Sequence, residues 1–421
     1  MLLKKLDRKY VLDIFRLLKW SVIIQALQLA GTFILTLYFT KENFGALSFL
    51  VSVSTIFEMA VGLQYNTAAI VNEKARSARS LMLISTGMAM LFSAIILATI
   101  LFFYFFTPAL YNTINSYGFI ALLPLIIITN FIFNNGILLL KYAGKIRDIN
   151  FFRALYVVAM LLAKLVAALV WGSLASLIYA HLIGLLITCL VFAFRFRHQI
   201  ITGYRQITYS EALLLLKTNY RFPKYSILSN IISAAATISF PILITLFFGL
   251  HNNGVYYLTT IFIFQPLLLI MQAISDAFLQ KIKLMFYENK QHLLEFIKTQ
   301  QKIILQILIP YLIIAFIAGE FLFSYLMPAQ WLEIGKFIKF IMLYYLVTSI
   351  YVPFSIVADY MNQQRFLMIF NTSLFLFQVA ALYFLHSIFD FTFVILTISI
   401  ITAIYYGFIN FYMLRKLKLQ T

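Results

Sequence analysis

Runs of about 20 apolar residues recur along the whole chain, and the short stretches between them alternate between strongly basic and nearly uncharged. A helix of that length crosses the hydrocarbon core of a bilayer. Only helices and closed barrels satisfy their backbone polar groups in hydrocarbon, and barrel strands need just ~9–11 residues. The pattern therefore predicts an all-α polytopic membrane protein. Composition agrees: 63% of residues are hydrophobic and 11% charged, against about 45–50% and 25% in soluble domains.

Spans are expected near Ser21–Phe39, Phe44–Tyr65, Leu81–Phe106, Tyr117–Leu140, Phe152–Trp171, Ser173–Phe194, Ser226–Phe248, Val255–Leu279, Ile303–Tyr325, Phe337–Ala358, Phe366–His386 and Phe391–Leu414. Loop charge sets their orientation. With the N-terminus inside, all but four of the 32 Lys and Arg fall on the inner side, the exceptions being Lys41, Lys164, Lys336 and Lys339. A missed span would invert every loop after it, so the alternation supports about twelve transmembrane helices with both termini cytoplasmic. The net charge of +18 is then a property of cytoplasmic loops, and no nucleic-acid partner is expected. The basic start precedes an apolar run without a small-residue cleavage motif, which reads as an uncleaved first helix. Cys189 is the one cysteine, so an intrachain disulfide and a cysteine-based zinc site are excluded.

A basic linker parts the chain into an N-terminal six-helix bundle (1–200), a cytoplasmic linker (201–222) and a C-terminal six-helix bundle (223–421). When Asn252-Asn253-Gly254 is laid on Asn43-Phe44-Gly45, Lys283 falls on Lys74, as a parallel repeat would require. Leu2–Leu18 and Tyr287–Gln301 alternate apolar and basic residues and read as interfacial helices.

No phosphate-cradling glycine loop, serine elbow or zinc motif occurs, and the five histidines are scattered. Neither an ATP-driven motor nor an enzyme nor a cofactor is expected. What remains are charges within spans, which are costly in lipid and mark pathways or buried pairs. Lys164 lies mid-span in helix five. It reads either as a substrate or coupling group or as the partner of a buried carboxylate. Glu58, in helix two, reads as an ion-coupling group, as a protonated hydrogen-bonded carboxyl, or as the partner of Lys164. Asp276 is a second ion-coupling candidate near the inner end of helix eight; Asp359 and Glu320 rank below it. Gln25, Gln28, Asn130, Asn134, Asn135, Gln265 and Gln272 either join helices or line a wet cavity. Pro124, Pro241, Pro266 and Pro353 are candidate kinks.

Leu63-Gln64-Tyr65-Asn66-Thr67-Ala68-Ala69-Ile70-Val71 resembles a signature of polysaccharide-export flippases of the Wzx (O-antigen) type. Phe222-Pro223-Lys224-Tyr225-Ser226 is similar to another, as are Gly254-Val255-Tyr256-Tyr257 and Ala273-Ile274 with Phe278. Members often carry Arg and an acid where this chain has Gln64 and Asn66.

The resemblance implies membership of the multidrug/oligosaccharidyl-lipid/polysaccharide exporter superfamily, with two six-helix bundles around a central cavity. It implies a flippase that moves undecaprenyl-diphosphate-linked oligosaccharide, such as an O-antigen repeat unit in lipopolysaccharide biosynthesis, from the cytoplasmic to the outer leaflet of a bacterial inner membrane. Expected substrate-binding residues are then Lys164, Lys224, Tyr65, Asn66 and Gln25, with Glu58 and Asp276 coupling export to H+ or Na+. A polysaccharide polymerase and a chain-length regulator are candidate protein partners. The alternatives are a multidrug or other lipid-precursor exporter and a membrane-embedded oligosaccharide polymerase. The last is disfavoured by outer loops as short and uncharged as Thr107–Ser116 and Leu250–Asn253.

Overall fold

The computed structural model describes residues 8–72, 74–108, 119–220, 222–227, 231–232, 238–268, 271, 274–275, 278, 282, 285–286, 290–355, 357–361 and 363–419. Among them there is no strand. The helices are α1 Arg8–Leu35, α2 Lys41–Val61, α3 Tyr65–Val71, α4 Ala75–Phe106, α5 Leu123–Tyr142, α6 Ile146–Val170, α7 Leu174–Arg195, α8 Arg197–Gln206, α9 Tyr209–Thr218, α10 Phe240–Thr259, α11 Lys290–Leu326, α12 Leu332–Tyr351, α13 Val357–Tyr360, α14 Gln364–Leu385 and α15 Phe391–Lys418. Single π-helical turns lie at Phe222–Ser226 and Thr260–Phe264.

Nine helical segments among the described residues are long and apolar enough to cross a membrane. Of the other expected spans, the first is the apolar part of α1, Val22–Leu35. Spans seven and eight run into residues outside the description. α10 breaks at Gly249 (φ 81°, ψ 175°), beside the expected outer loop Leu250–Asn253. Neither interfacial stretch is separate where it is described. The first continues into α1, and α11 runs unbroken for 37 residues from Lys290. Helix propagation explains this: extending a formed helix adds a hydrogen bond per residue, and no glycine interrupts either junction.

Sequence chemistry fixes the helix ends. Thr40 caps α2 by accepting from the Asn43 amide, and Ser173 opens α7 with a reciprocal capping box to Ser176. Arg415, Lys416 and Lys418 close α15, favourable to the helix dipole as well as to a basic membrane face. Pro124 and Pro241 fall in the first turns of α5 and α10, where a missing N–H costs nothing, and Pro353 lies in a 3-10 turn after α12. Pro310 is the proline inside a long helix, α11.

The chain divides into two compact units, Tyr38–Ile242 and Met1–Leu37 with Leu243–Thr421. α1 thus groups with the C-terminal helices, whereas the division drawn at the linker groups it with the N-terminal ones. A contact explains the grouping. The fully buried Trp331 donates its indole N–H to the Thr36 carbonyl at 2.9 Å, satisfying a carbonyl just past the end of α1. Within that unit α12 packs against α11 and α15, and α15 against α14.

In the unit Tyr38–Ile242, α5 packs against α2, α4 and α7, and α6 pairs with α7. Gly172 turns α6 back into α7 with a φ of +56°, which favours glycine. Leu50, Ile127, Phe131, Met160, Leu182 and Leu185 fill the core. Lipid is as apolar as leucine, so helices associate in a membrane by close packing of small residues. Gly184 is such a contact: a Cβ there would lie 2.8 Å from the Met160 Cα. Gly184→Ala is expected to destabilise by about 1–3 kcal/mol. Gly87→Ala, where a Cβ meets open space, is expected to be neutral or stabilising. Thermal unfolding of the two purified variants in detergent checks both.

Candidate functional site

The motif at 63–71 is a strained break. α2 ends at Val61, Leu63 and Gln64 both take left-handed backbone (φ 50° and 57°), and α3 starts at Tyr65. Each such residue costs about 1–2 kcal/mol unless surroundings enforce it. Gln64 itself stabilises the break. Its Nε2 donates to the Met59 carbonyl at 2.5 Å and its Oε1 accepts from Thr67 Oγ1 at 2.8 Å. Here Gln64 serves the backbone, in place of the ionic group that the family pattern would put there. Asn66 is half-buried, and its Oδ1 accepts from the Thr67 amide at 3.0 Å.

Tyr65 is buried with Ala68, Ala69, Leu81 and Leu215, and its hydroxyl donates to the Leu216 carbonyl at 3.5 Å. The π-helical turn carrying Pro223 and the exposed Lys224 packs against α3. The two motifs at 63–71 and 222–226, distant in sequence, therefore meet.

Lys164 sits on α6, half-buried, with no hydrogen-bond or ion-pair partner among the described residues. Glu58 does not pair with it. The half-buried Glu58 accepts instead from Asn134 Nδ2 on α5 at 2.6 Å. Asn135 turns the other way and donates to the Met82 carbonyl and Thr86 on α4 (3.0 and 2.8 Å), so it joins helices.

The neighbour of Lys164 is one that sequence reading missed. His181 on α7 lies within electrostatic reach of the lysine. It is 5% exposed, and neither ring nitrogen has a hydrogen-bond partner among the described residues. The signal was present in the hairpin: positions 164 and 181 are nearly equidistant from the turn at Gly172, so antiparallel helices bring them to one depth. The contact of Gly184 with Met160 fixes the same register. A buried polar group without a partner costs about 1–3 kcal/mol. Among the described residues no acid pairs with Lys164 or His181, and a cation in a span without a counter-charge is suited to meet an anion.

The remaining expected residues are elsewhere. Gln25 on α1 is buried with its Nε2 unpartnered among the described residues, and Gln28 donates to Gln265 at 3.5 Å. Glu320 on α11 pairs with Lys339 on α12 at 3.0 Å, which accounts for both. Asp276, Gln272 and Lys283 lie outside the described residues, as does the side chain of Asp359. Among the described residues no three His, Cys, Asp or Glu side chains converge to hold a metal ion.

A groove of about 820 Å³ runs between α6 and α7, lined by residues such as Leu155, Ala159, Ala163, Tyr179, Ala180 and Ile187. Neither Lys164 nor His181 lines it. Its chemistry suits hydrocarbon and not a charged head group.

Solved structures with this fold are transporters. An inward-facing multidrug resistance transporter of the MATE family aligns with a TM-score of 0.68 at 16% identity, covering 94% of each chain. An outward-facing one gives 0.65 at 16% identity, covering 99% of this chain and 97% of that one. A transporter of the same MOP superfamily from Pyrococcus furiosus, described as having a binding pocket of reversed polarity, gives 0.63 at 15% identity, covering 97% and 96%. No curated protein sequence matches the chain. At these identities the likeness establishes the fold, an all-helical membrane-transporter fold. A family match over residues 34–336 takes in the strained break, Lys164, His181 and the linker, and by it the chain belongs to the polysaccharide biosynthesis protein family.

Proposed function

We propose that this protein is a flippase that carries undecaprenyl-diphosphate-linked oligosaccharide from the cytoplasmic to the outer leaflet of the bacterial inner membrane by alternating access. The observation that carries this reading is the match to a polysaccharide biosynthesis family on a chain with a transporter fold. The chemistry is compatible. A diphosphate carries about two negative charges and cannot cross hydrocarbon bare. Lys164, unpaired by any acid among the described residues, meets that charge in mid-span. Lys224 and Tyr65, at the meeting of the two motifs, gather the head group on the basic face, and Asn66 and Gln25 offer hydrogen bonds to sugar hydroxyls. No phosphate-cradling loop for ATP is present in the sequence, so directed movement draws on an H+ or Na+ gradient, with Glu58 and Asp276 as coupling groups. A polymerase and a chain-length regulator receive the product.

One observation favours a second reading. Multidrug transporters share the fold, and Glu58 is an acid in a span, a natural contact for a cationic drug. Lipid extracts of a deletion strain decide between them. Accumulation of a polyprenyl-diphosphate-linked repeat unit, with loss of surface polysaccharide, is the expected result. A normal lipid profile with altered drug sensitivity would transfer the chain to the drug-export reading.

A further inference from the structure

The start of α4 carries Arg76, Arg79, Ser80 and Leu83 on one stripe, at the i, i+3, i+4, i+7 spacing of a helix face. Among the described residues no side-chain hydrogen bond caps this helix at Lys74. The linker helix α8 lies on the stripe. Gly203 abuts Leu83, where a Cβ would come within 2.7 Å of Cδ1, and the Tyr204 hydroxyl donates to the Leu83 carbonyl at 3.2 Å. Arg76 reaches the Gln206 carbonyl at 3.5 Å and the Glu211 carboxylate of α9 at 3.1 Å.

These elements enclose a cavity of about 210 Å³ lined by Arg76, Arg79, Ser80, Leu83, Gly203 and Gln206. Its polar groups are incompletely used. Glu211 engages Arg76, but Arg79 has no hydrogen-bond or ion-pair partner among the described residues. Ser80 is 5% exposed, lines the cavity, and its hydroxyl is likewise unpartnered among them. Two guanidinium groups and a buried hydroxyl favour a tetrahedral oxyanion. The cavity sits at the start of the apolar segment Arg76–Phe106, where it meets a basic linker, and span ends of this kind adjoin lipid phosphates.

The geometry points to a binding site for the phosphate of an anionic phospholipid, which ties the linker helix α8 to the start of α4. This assignment is independent of what the protein transports. The test uses the full chain in nanodiscs of phosphatidylglycerol or phosphatidylcholine, with lipid retention read by native mass spectrometry. Wild type is expected to retain phosphatidylglycerol in preference to phosphatidylcholine. Arg79→Gln, a change at an exposed side chain, is expected to retain it at least about tenfold less. Ser80→Ala should lose retention in the same direction, more mildly. Hydrogen exchange gives a second readout: phosphatidylglycerol should protect the amides of 197–206 in wild type and not in Arg79→Gln. Equal retention and equal protection in wild type and Arg79→Gln would overturn the site. Inorganic phosphate that protects 197–206 as well as the lipid does would overturn the lipid as its source.

Discussion

Lys164→Ala is expected to abolish surface polysaccharide while the protein still accumulates in the membrane, and Lys164→Arg to retain part of it. A cation in mid-bilayer costs about 2.5–3.5 kcal/mol on the insertion scale. Lys164 has no acid to offset that cost among the described residues. His181, its neighbour, offers no negative charge, and its ring nitrogens have no hydrogen-bond partner among the described residues. Replacing the lysine with alanine should therefore leave the folded protein as stable as wild type or more so. If Lys164 meets the diphosphate, the same change removes a charge-assisted contact in a low-dielectric site, worth about 3–5 kcal/mol when one partner of a buried pair is lost, or roughly 10²–10⁴-fold in affinity. The diagnostic combination is lost export with an unchanged or raised thermal midpoint, because a structural lysine would lose both together. Arginine keeps the charge in a larger, planar fork, so partial function is the expected compromise. Normal export by Lys164→Ala at normal abundance would remove Lys164 from the substrate path.

The long apolar runs and the loop charges made the helical, polytopic fold legible, because each span answers to a length and composition rule that no neighbour can override. Among the described residues nine helical segments, and the apolar part of α1 at Val22–Leu35, fall where those runs predict them. Features set by packing were less legible. Nothing in the local sequence says that α1 groups with the C-terminal helices; that information lies in contacts with residues more than two hundred positions away, the Trp331 indole on the Thr36 carbonyl and Gln28 on Gln265 among them. The break at Leu63 and Gln64 was invisible for a related reason. Two non-glycine residues with positive φ contradict backbone preference, and the Gln64 side-chain bonds that hold them depend on the folded turn. His181 illustrates the difference between spacing and proximity. Helical spacing on its own span gives it no partner, and only the antiparallel hairpin brings it to Lys164. Asn134 and Asn135 look alike in the sequence, yet one hydrogen-bonds Glu58 and the other joins α5 to α4, because adjacent helical residues point about 100° apart.

Glu58→Gln is expected to preserve substrate binding and to lose the response of transport to an imposed pH or sodium gradient. The substitution is nearly isosteric and keeps an Oε1 that accepts from Asn134, so the observed 2.6 Å contact between α2 and α5 survives it. What it removes is the exchangeable proton and the negative charge. A carboxyl whose access alternates between the two sides of a membrane can take up a cation on one side and release it on the other. Moving one charge through a potential of 100 mV contributes about 2.3 kcal/mol, enough to bias such a cycle. The competing account, that Glu58 only neutralises Lys164, predicts something different. Each single alanine variant would then strand an uncompensated charge, and the double variant Lys164→Ala/Glu58→Ala would recover function. Because Glu58 bonds Asn134 and Lys164 has no acidic partner among the described residues, the double variant is expected to remain inactive. Proteoliposomes loaded with a polyprenyl-diphosphate-linked oligosaccharide allow binding and gradient-driven translocation to be measured on the same preparation. Full gradient response in Glu58→Gln sinks the coupling role, and recovery in the double variant reassigns the pair to structure. Loss of binding in Glu58→Gln would instead make the carboxylate a substrate contact, one that accepts hydrogen bonds from the sugar hydroxyls, and would remove it from the coupling role.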